Sequence, residues 1–102
     1  MVRDYIFIDD LIQMITNTYD KNNVHSTYNI GSGTGTTVNE LINAIERCTD
    51  QKAERDSIET PPTFVRKSVL DISRVVQEFD ARPSVTLEEG IKRTWDYVKT
   101  LQ

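Results

Sequence analysis

The alternation of apolar and polar positions divides the chain into short elements. Arg3 to Ile8, Arg-Asp-Tyr-Ile-Phe-Ile, is rich in aromatic and β-branched residues and predicts a strand. Asp9 and Asp10 follow as N-cap candidates for a helix with Leu11, Ile12, Ile15 and Tyr19 on one stripe. A polar turn, Asp20-Lys21-Asn22-Asn23, leads to a second predicted strand at about Ser26 to Ile30. Gly31-Ser32-Gly33-Thr34-Gly35-Thr36-Thr37 then reads as a flexible loop. Thr37-x-x-Glu40 is a capping box, followed by Val38, Leu41, Ile42 and Ile45 at helical spacing. Pro61-Pro62 bars a helix across that point, and Ser57-Ile58-Glu59 before it predicts a short strand. Asp71 caps a short helix carrying Ile72, Val75, Val76 and Phe79. After Pro83, the capping box Thr86-x-x-Glu89 opens a last helix with Leu87, Ile91, Trp95 and Val98 inward. The order β-α-β-α-(β)-α-α predicts a small mixed α/β domain with short strands and about four helices, spanning 1–102 as one unit.

Composition narrows the function classes. At 102 residues, with 37% hydrophobic and 27% charged positions, the chain has room for one modest core. No apolar run approaches the roughly 18–20 residues of a membrane-spanning helix, so no membrane partner is expected. The single cysteine, Cys48, excludes an internal disulfide and fits a cytoplasmic protein. Net charge is −4 with scattered Lys and Arg, and the isoelectric point is about 4.9, so a nucleic-acid partner is not expected. A small phosphorylated ligand is compatible with that charge, because two well-placed arginines suffice for a diphosphate.

The glycine-rich loop is the first candidate for chemistry. A strand-loop-helix order allows its backbone N–H groups to cradle an anion, or its glycines to serve a tight turn at positive φ. The dinucleotide pattern Gly-x-Gly-x-x-Gly fails at Thr36, and the Gly-Lys-Ser/Thr ending of a P-loop is missing. His25 is the only histidine and reads as a surface or strand-start residue. Cys48 reads as a small apolar position, and one His with one Cys offers too few soft ligands for a zinc site. No set of residues makes a catalytic constellation, and no metal site is expected.

Four segments carry a family resemblance. Arg3-Asp4-Tyr5-Ile6-Phe7-Ile8-Asp9-Asp10-Leu11 resembles the Arg-Asp-Tyr/Phe-x-x-Val-x-Asp segment of UDP-galactose 4-epimerases and related nucleotide-sugar epimerases and dehydratases. Tyr28-Asn29-Ile30-Gly31-Ser32-Gly33 with Thr37-Val38-Asn39-Glu40-Leu41 is similar to their Tyr-Asn-x-Gly-x-Gly…Ser-Val-x-Glu-Leu. Ser68-Val69-Leu70-Asp71-Ile72-Ser73-Arg74 resembles Ser-x-x-Asp-x-Ser-Lys, and Pro83…Leu87-Glu88-Glu89-Gly90-Ile91…Thr94 resembles their closing segment. Each is weak alone, but the four occur in the right order over nearly the whole chain. They resemble the C-terminal, substrate-binding lobe of an extended short-chain dehydrogenase/reductase.

The resemblance implies that Arg3 pairs with the diphosphate of a nucleotide sugar such as UDP-glucose or UDP-galactose. It places Tyr5 near the nucleotide and Val38 in apolar contact with the nucleoside. The family's second phosphate-binding arginine and its companion aspartate fall on Pro61 and Phe64, which leaves Arg66 as the nearby substitute. The resemblance also implies an N-terminal Rossmann domain that holds NAD and a Tyr-x-x-x-Lys pair, neither of which is expected within this chain. Tyr5, Tyr19, Tyr28 and Tyr97 are followed four residues on by Asp9, Asn23, Ser32 and Leu101. In the whole enzyme NAD takes a hydride from C4 of the sugar and returns it to the other face, and the family commonly forms homodimers. The expectation is therefore a lobe that is inactive alone. The alternative is a stand-alone, non-catalytic binding module descended from such a lobe. A lobe exposes an apolar patch where the other domain packs, whereas a stand-alone module buries every apolar stripe.

Overall fold

The computed structural model describes residues 1–19, 25–56, 58–59 and 61–101. The polar turn at Asp20 to Asn23 lies outside the described residues, as does Ser57 of the short strand expected near Ile58. The elements are β1 (Val2–Asp4), α1 (Ile8–Thr18), β2 (Gly35–Thr37), α2 (Val38–Thr49), β3 (Lys67–Ser68), α3 (Ser73–Phe79) and α4 (Leu87–Thr100). The mixed α/β class and its four helices agree with the pattern.

The strands form one sheet with β1 in the middle, in the order β2-β1-β3. β2 runs antiparallel, pairing Val2 with Thr37, Arg3 with Thr36 and Asp4 with Gly35. β3 runs parallel, pairing Val2 with Lys67 and Arg3 with Ser68. Three strand expectations change, for Ile58 and Glu59 carry no strand and the third strand is β3. β1 stops at Asp4 because its partner β2 begins at Gly35, leaving Tyr5 onward no ladder to join. The second strand is β2, within the predicted loop, rather than Ser26 to Ile30. Tyr28 and Ile30 do show the alternating inward pattern of a strand, since both pack against the core. Their segment has no strand beside it among the described residues.

The threonine half of both capping boxes forms. The Thr37 hydroxyl accepts the Glu40 N–H at 3.1 Å, and the Thr86 hydroxyl accepts the Glu89 N–H at 3.2 Å. Asp71 accepts the Ser73 N–H at 3.0 Å, but the N-cap of α3 is Ile72, so Asp71 stands one position before the cap. Asp9 and Asp10 do not cap α1. Its N-cap is Phe7, with both aspartates inside the first turn, where negative charge still suits the positive end of the helix dipole. Asp10 is 2% exposed and is held from across the chain. It accepts the Ser84 N–H at 3.1 Å, the Ser84 hydroxyl at 3.0 Å and the Val85 N–H at 2.9 Å.

Met14, Val75 and Ala81 are fully buried where α1 meets α3, with Ile6, Tyr28, Ile30, Ile72, Val76 and Phe79 packed around them. Helices α2 and α4 pack separately around an open apolar cleft, and Arg47 bridges to Glu88 at 2.6 Å between them. Of the expected stripe of α1, Leu11 is half-buried while Ile12, Ile15 and Tyr19 are 46–78% exposed, as is Ile8 at 56%. The helix is apolar on two faces, and the face carrying Met14 takes the core. The molecule is a slab, 19 Å through its thinnest axis, with a radius of gyration of 16.1 Å, against about 13 Å for a compact domain of this length.

Candidate functional site

The short ladders gather residues that lie far apart in sequence. The Val2 N–H donates to the Arg66 carbonyl at 2.7 Å, and the Val38 N–H donates to the Met1 carbonyl at 3.3 Å. The backbones of Val38 and Arg66 therefore flank the N-terminal end of β1, the strand that carries Arg3. Cross-strand partners share a face of a pleated sheet, so Arg3, Thr36 and Ser68 project to the same side. Tyr5, with Thr34 and Thr36, lines a depression closed by Ser84 and Thr86. It also lines the cleft of about 310 Å³ between α2 and α4, whose walls include Phe7, Leu41, Ile91 and Trp95.

The chemistry available at this end is anion binding. The half-buried Arg3 guanidinium donates to the Val2 carbonyl at 2.9 Å, which steadies it and leaves further N–H groups. Arg66 is exposed. Among the described residues, neither arginine pairs with a carboxylate. Two guanidiniums without internal counter-charges suit a phosphate, because each offers a planar fork of donors. Val38, the first residue of α2 and 38% exposed, adds an apolar surface beside them. Pro61 and Phe64, where the resemblance expects an arginine and an aspartate, instead form an exposed turn in which the Phe64 N–H donates to the Pro61 carbonyl at 3.0 Å.

The glycine turn binds an anion, and that anion is the chain's own Asp4. Asp4 Oδ1 accepts the Ser32 N–H at 2.8 Å and also the Ser32 hydroxyl, while Oδ2 accepts the Gly33 N–H at 2.9 Å and the Leu70 N–H at 3.3 Å. Partial burial pushes this carboxyl up, but the four hydrogen bonds together outweigh it and hold Asp4 below the usual aspartate range. Gly33 sits at φ +72, a region side chains avoid. A Cβ on Gly31 would stand 2.8 Å from Leu70 Cδ1 and 3.0 Å from Asp4. The turn is thus shaped around Asp4. Its amides of Ser32 and Gly33 are engaged, so the turn does not fit the pyrophosphate of NAD.

The remaining candidates have structural partners. His25 Nδ1 lies 2.8 Å from Glu78, which also accepts the Tyr28 hydroxyl at 3.0 Å. Cys48, half-buried, has its sulfur 3.6 Å from the Glu88 carbonyl. Among the described residues, no group of three His, Cys, Asp or Glu side chains could hold a metal ion, and no helix is long and apolar enough to cross a membrane. The sequence reading missed Asp4 and Asp10. Asp4 was inferable in part, since it alternates with Arg3 and Tyr5 and so belongs to the opposite face.

Comparison with known proteins gives a consistent picture. No family model matches the chain. The dTDP-4-dehydro-6-deoxyglucose reductase of Escherichia coli is 35% identical over 91 residues, covering 89% of this chain and 29% of the reductase. The solved UDP-glucose 4-epimerase of Thermotoga maritima, with UDP-glucose, superimposes with a TM-score of 0.87 at 36% identity, over 99% of this chain and 33% of the epimerase. A UDP-glucuronic acid 4-epimerase variant of Bacillus cereus, in complex with a UDP-sugar analogue and NAD, gives 0.86 at 25% identity over 99% and 33%. The chain spans about a third of the length of the relatives it matches.

Proposed function

We propose that this chain, which matches nucleotide-sugar epimerases, dehydratases and reductases over about a third of their length, is the C-terminal, substrate-binding lobe of a nucleotide-sugar epimerase. It binds the diphosphate of a UDP-hexose. Arg3 and Arg66 neutralise the phosphates, Val38 packs on the nucleoside, and Tyr5 borders the site on the side of the depression it lines. What supports this reading is the pairing of β1, which sets the backbones of Val38 and Arg66, from two distant segments, beside the strand that carries Arg3.

Catalysis belongs to a second, N-terminal Rossmann domain in the whole enzyme. That domain would hold NAD, which would supply hydride transfer at C4 of the sugar. This chain positions the substrate through its nucleotide, converting a bimolecular encounter into an oriented one. The alternative, a self-sufficient binding module, is disfavoured by the apolar bookkeeping. Among the described residues the buried apolar set is Met14, Ala44, Val75 and Ala81, while Ile8, Ile12, Ile15 and Tyr19 line the outside of α1. An apolar stripe of that length on a 19 Å slab is the surface a second domain covers. The whole enzyme is a homodimer through helices of that other domain and works in the cytoplasm.

Calorimetric titration of UDP into the wild type, Arg3→Ala and Arg66→Ala tests the site. Each loss of a charge-assisted contact weakens binding by roughly tenfold to a hundredfold, with melting temperature unchanged. Wild-type affinity in Arg3→Ala rejects the diphosphate site. Wild-type affinity in Arg66→Ala removes that residue alone.

A further inference from the structure

Register is the property on which the proposed site depends, and the ladders are too short to secure it. β1 pairs with β2 over three positions and with β3 over two. Strands of this length, without long hydrophobic faces, specify their alignment weakly. A slip of two residues preserves the pleat yet moves Val38 or Arg66 by about 6.6 Å relative to Arg3. Something other than the ladders holds the alignment.

The Asp4 carboxylate, at the end of β1, binds the segment that precedes β2 and the segment that follows β3. One oxygen takes the Ser32 N–H and hydroxyl; the other takes the Gly33 and Leu70 N–H groups. Ser32 and Gly33 lead directly into β2, and Leu70 follows β3. A slip of either strand removes its donors from the carboxylate and leaves them without those bonds. Asp4 projects to the face opposite Arg3, so it does not meet an anion held by Arg3.

We propose that Asp4 is the positioning residue of the diphosphate site, tying β2 and β3 to β1 so that Arg3, Val38 and Arg66 keep one spacing. This deepens the reading given under Proposed function and rests on it. Asp4 acts through the spacing of these residues rather than on the ligand, and an Asn in its place keeps one acceptor oxygen while setting an NH2 group against donors that need the other.

The test is a double-mutant cycle read with UDP, on the wild type, Asp4→Asn, Arg3→Ala and the double variant. Nuclear Overhauser contacts from Arg3 to Thr36 and Ser68 are measured on each. Asp4→Asn weakens UDP binding about tenfold in the wild-type background and by less than about twofold once Arg3 is Ala, and the cross-strand contacts change. Wild-type affinity in Asp4→Asn, or an equal loss in both backgrounds, overturns the proposal. If Arg3→Ala binds UDP like the wild type, the diphosphate reading fails instead. Asp4 is then judged on the cross-strand contacts, and an unchanged pattern refutes its role. Should Asp4→Asn not fold, Ser32→Ala removes one of the four donors and carries the same comparison, with an expected loss of about threefold.

Discussion

Replacing Asp10 with Ala tests whether a buried carboxylate, rather than apolar packing alone, docks the start of α4. Asp10 is 2% exposed and accepts three hydrogen bonds, two from the amides of Ser84 and Val85 and one from the Ser84 hydroxyl. Hydrogen bonds to a charged acceptor contribute about 1.5–3 kcal/mol each. They are not additive here, because all three converge on one group and the freed hydroxyl can turn to water. The two amides lie in a backbone segment that cannot turn, so their stranding dominates, and the expected loss is about 3 kcal/mol. A chain of this size has roughly 5–15 kcal/mol in total, so the variant remains folded but marginal. Urea unfolding followed by circular dichroism measures the loss, and hydrogen exchange locates it. Exchange at Ser84 and Val85 rises most, ahead of α2. Asp10→Asn keeps an acceptor and falls between the wild type and Asp10→Ala. A loss below about 1 kcal/mol in Asp10→Ala, or exchange that rises evenly over the molecule, refutes this account of how α4 is placed.

Two further predictions concern the core and acid stability. Met14→Ala empties a fully buried position between Val75 and Ala81 and costs about 2–5 kcal/mol, measured by urea unfolding. Asp4 has a folded pKa below its unfolded value, so it contributes stability that is complete above the unfolded value of 3.8. That contribution is lost as pH falls through the folded value, and the acid limb of the stability curve is flatter in Asp4→Asn than in the wild type. Identical acid limbs remove Asp4 as a source of the pH dependence.

Much of the helical structure was legible. Thr37 with Glu40 and Thr86 with Glu89 announced α2 and α4, because a capping hydroxyl satisfies a specific backbone donor whatever surrounds it. The strands were harder. Ser26 to Ile30 has the composition and alternation of a strand but no neighbour to pair with among the described residues, whereas Gly35 to Thr37 becomes one because β1 lies beside it. Pairing is a tertiary fact that local composition does not carry. The α1 stripe misled for a related reason. Helical periodicity identifies an apolar face without saying what covers it, and here Met14 faces the core while Ile12 and Ile15 face outward. Asp10 was read as a cap because its partners, Ser84 and Val85, lie more than 70 residues away. Of the candidate site, Arg3, Tyr5, Val38 and Arg66 came from motif resemblance, while their arrangement came from strand register alone.

The most direct test of the central claim is an amide chemical-shift titration of the protein with UDP. The account predicts saturable shifts centred on Arg3, Val38 and Arg66, extending to Thr36 and Tyr5 and sparing α3. Shifts centred on Ser32 and Gly33 or within the α2–α4 cleft, or none at millimolar UDP, would contradict it.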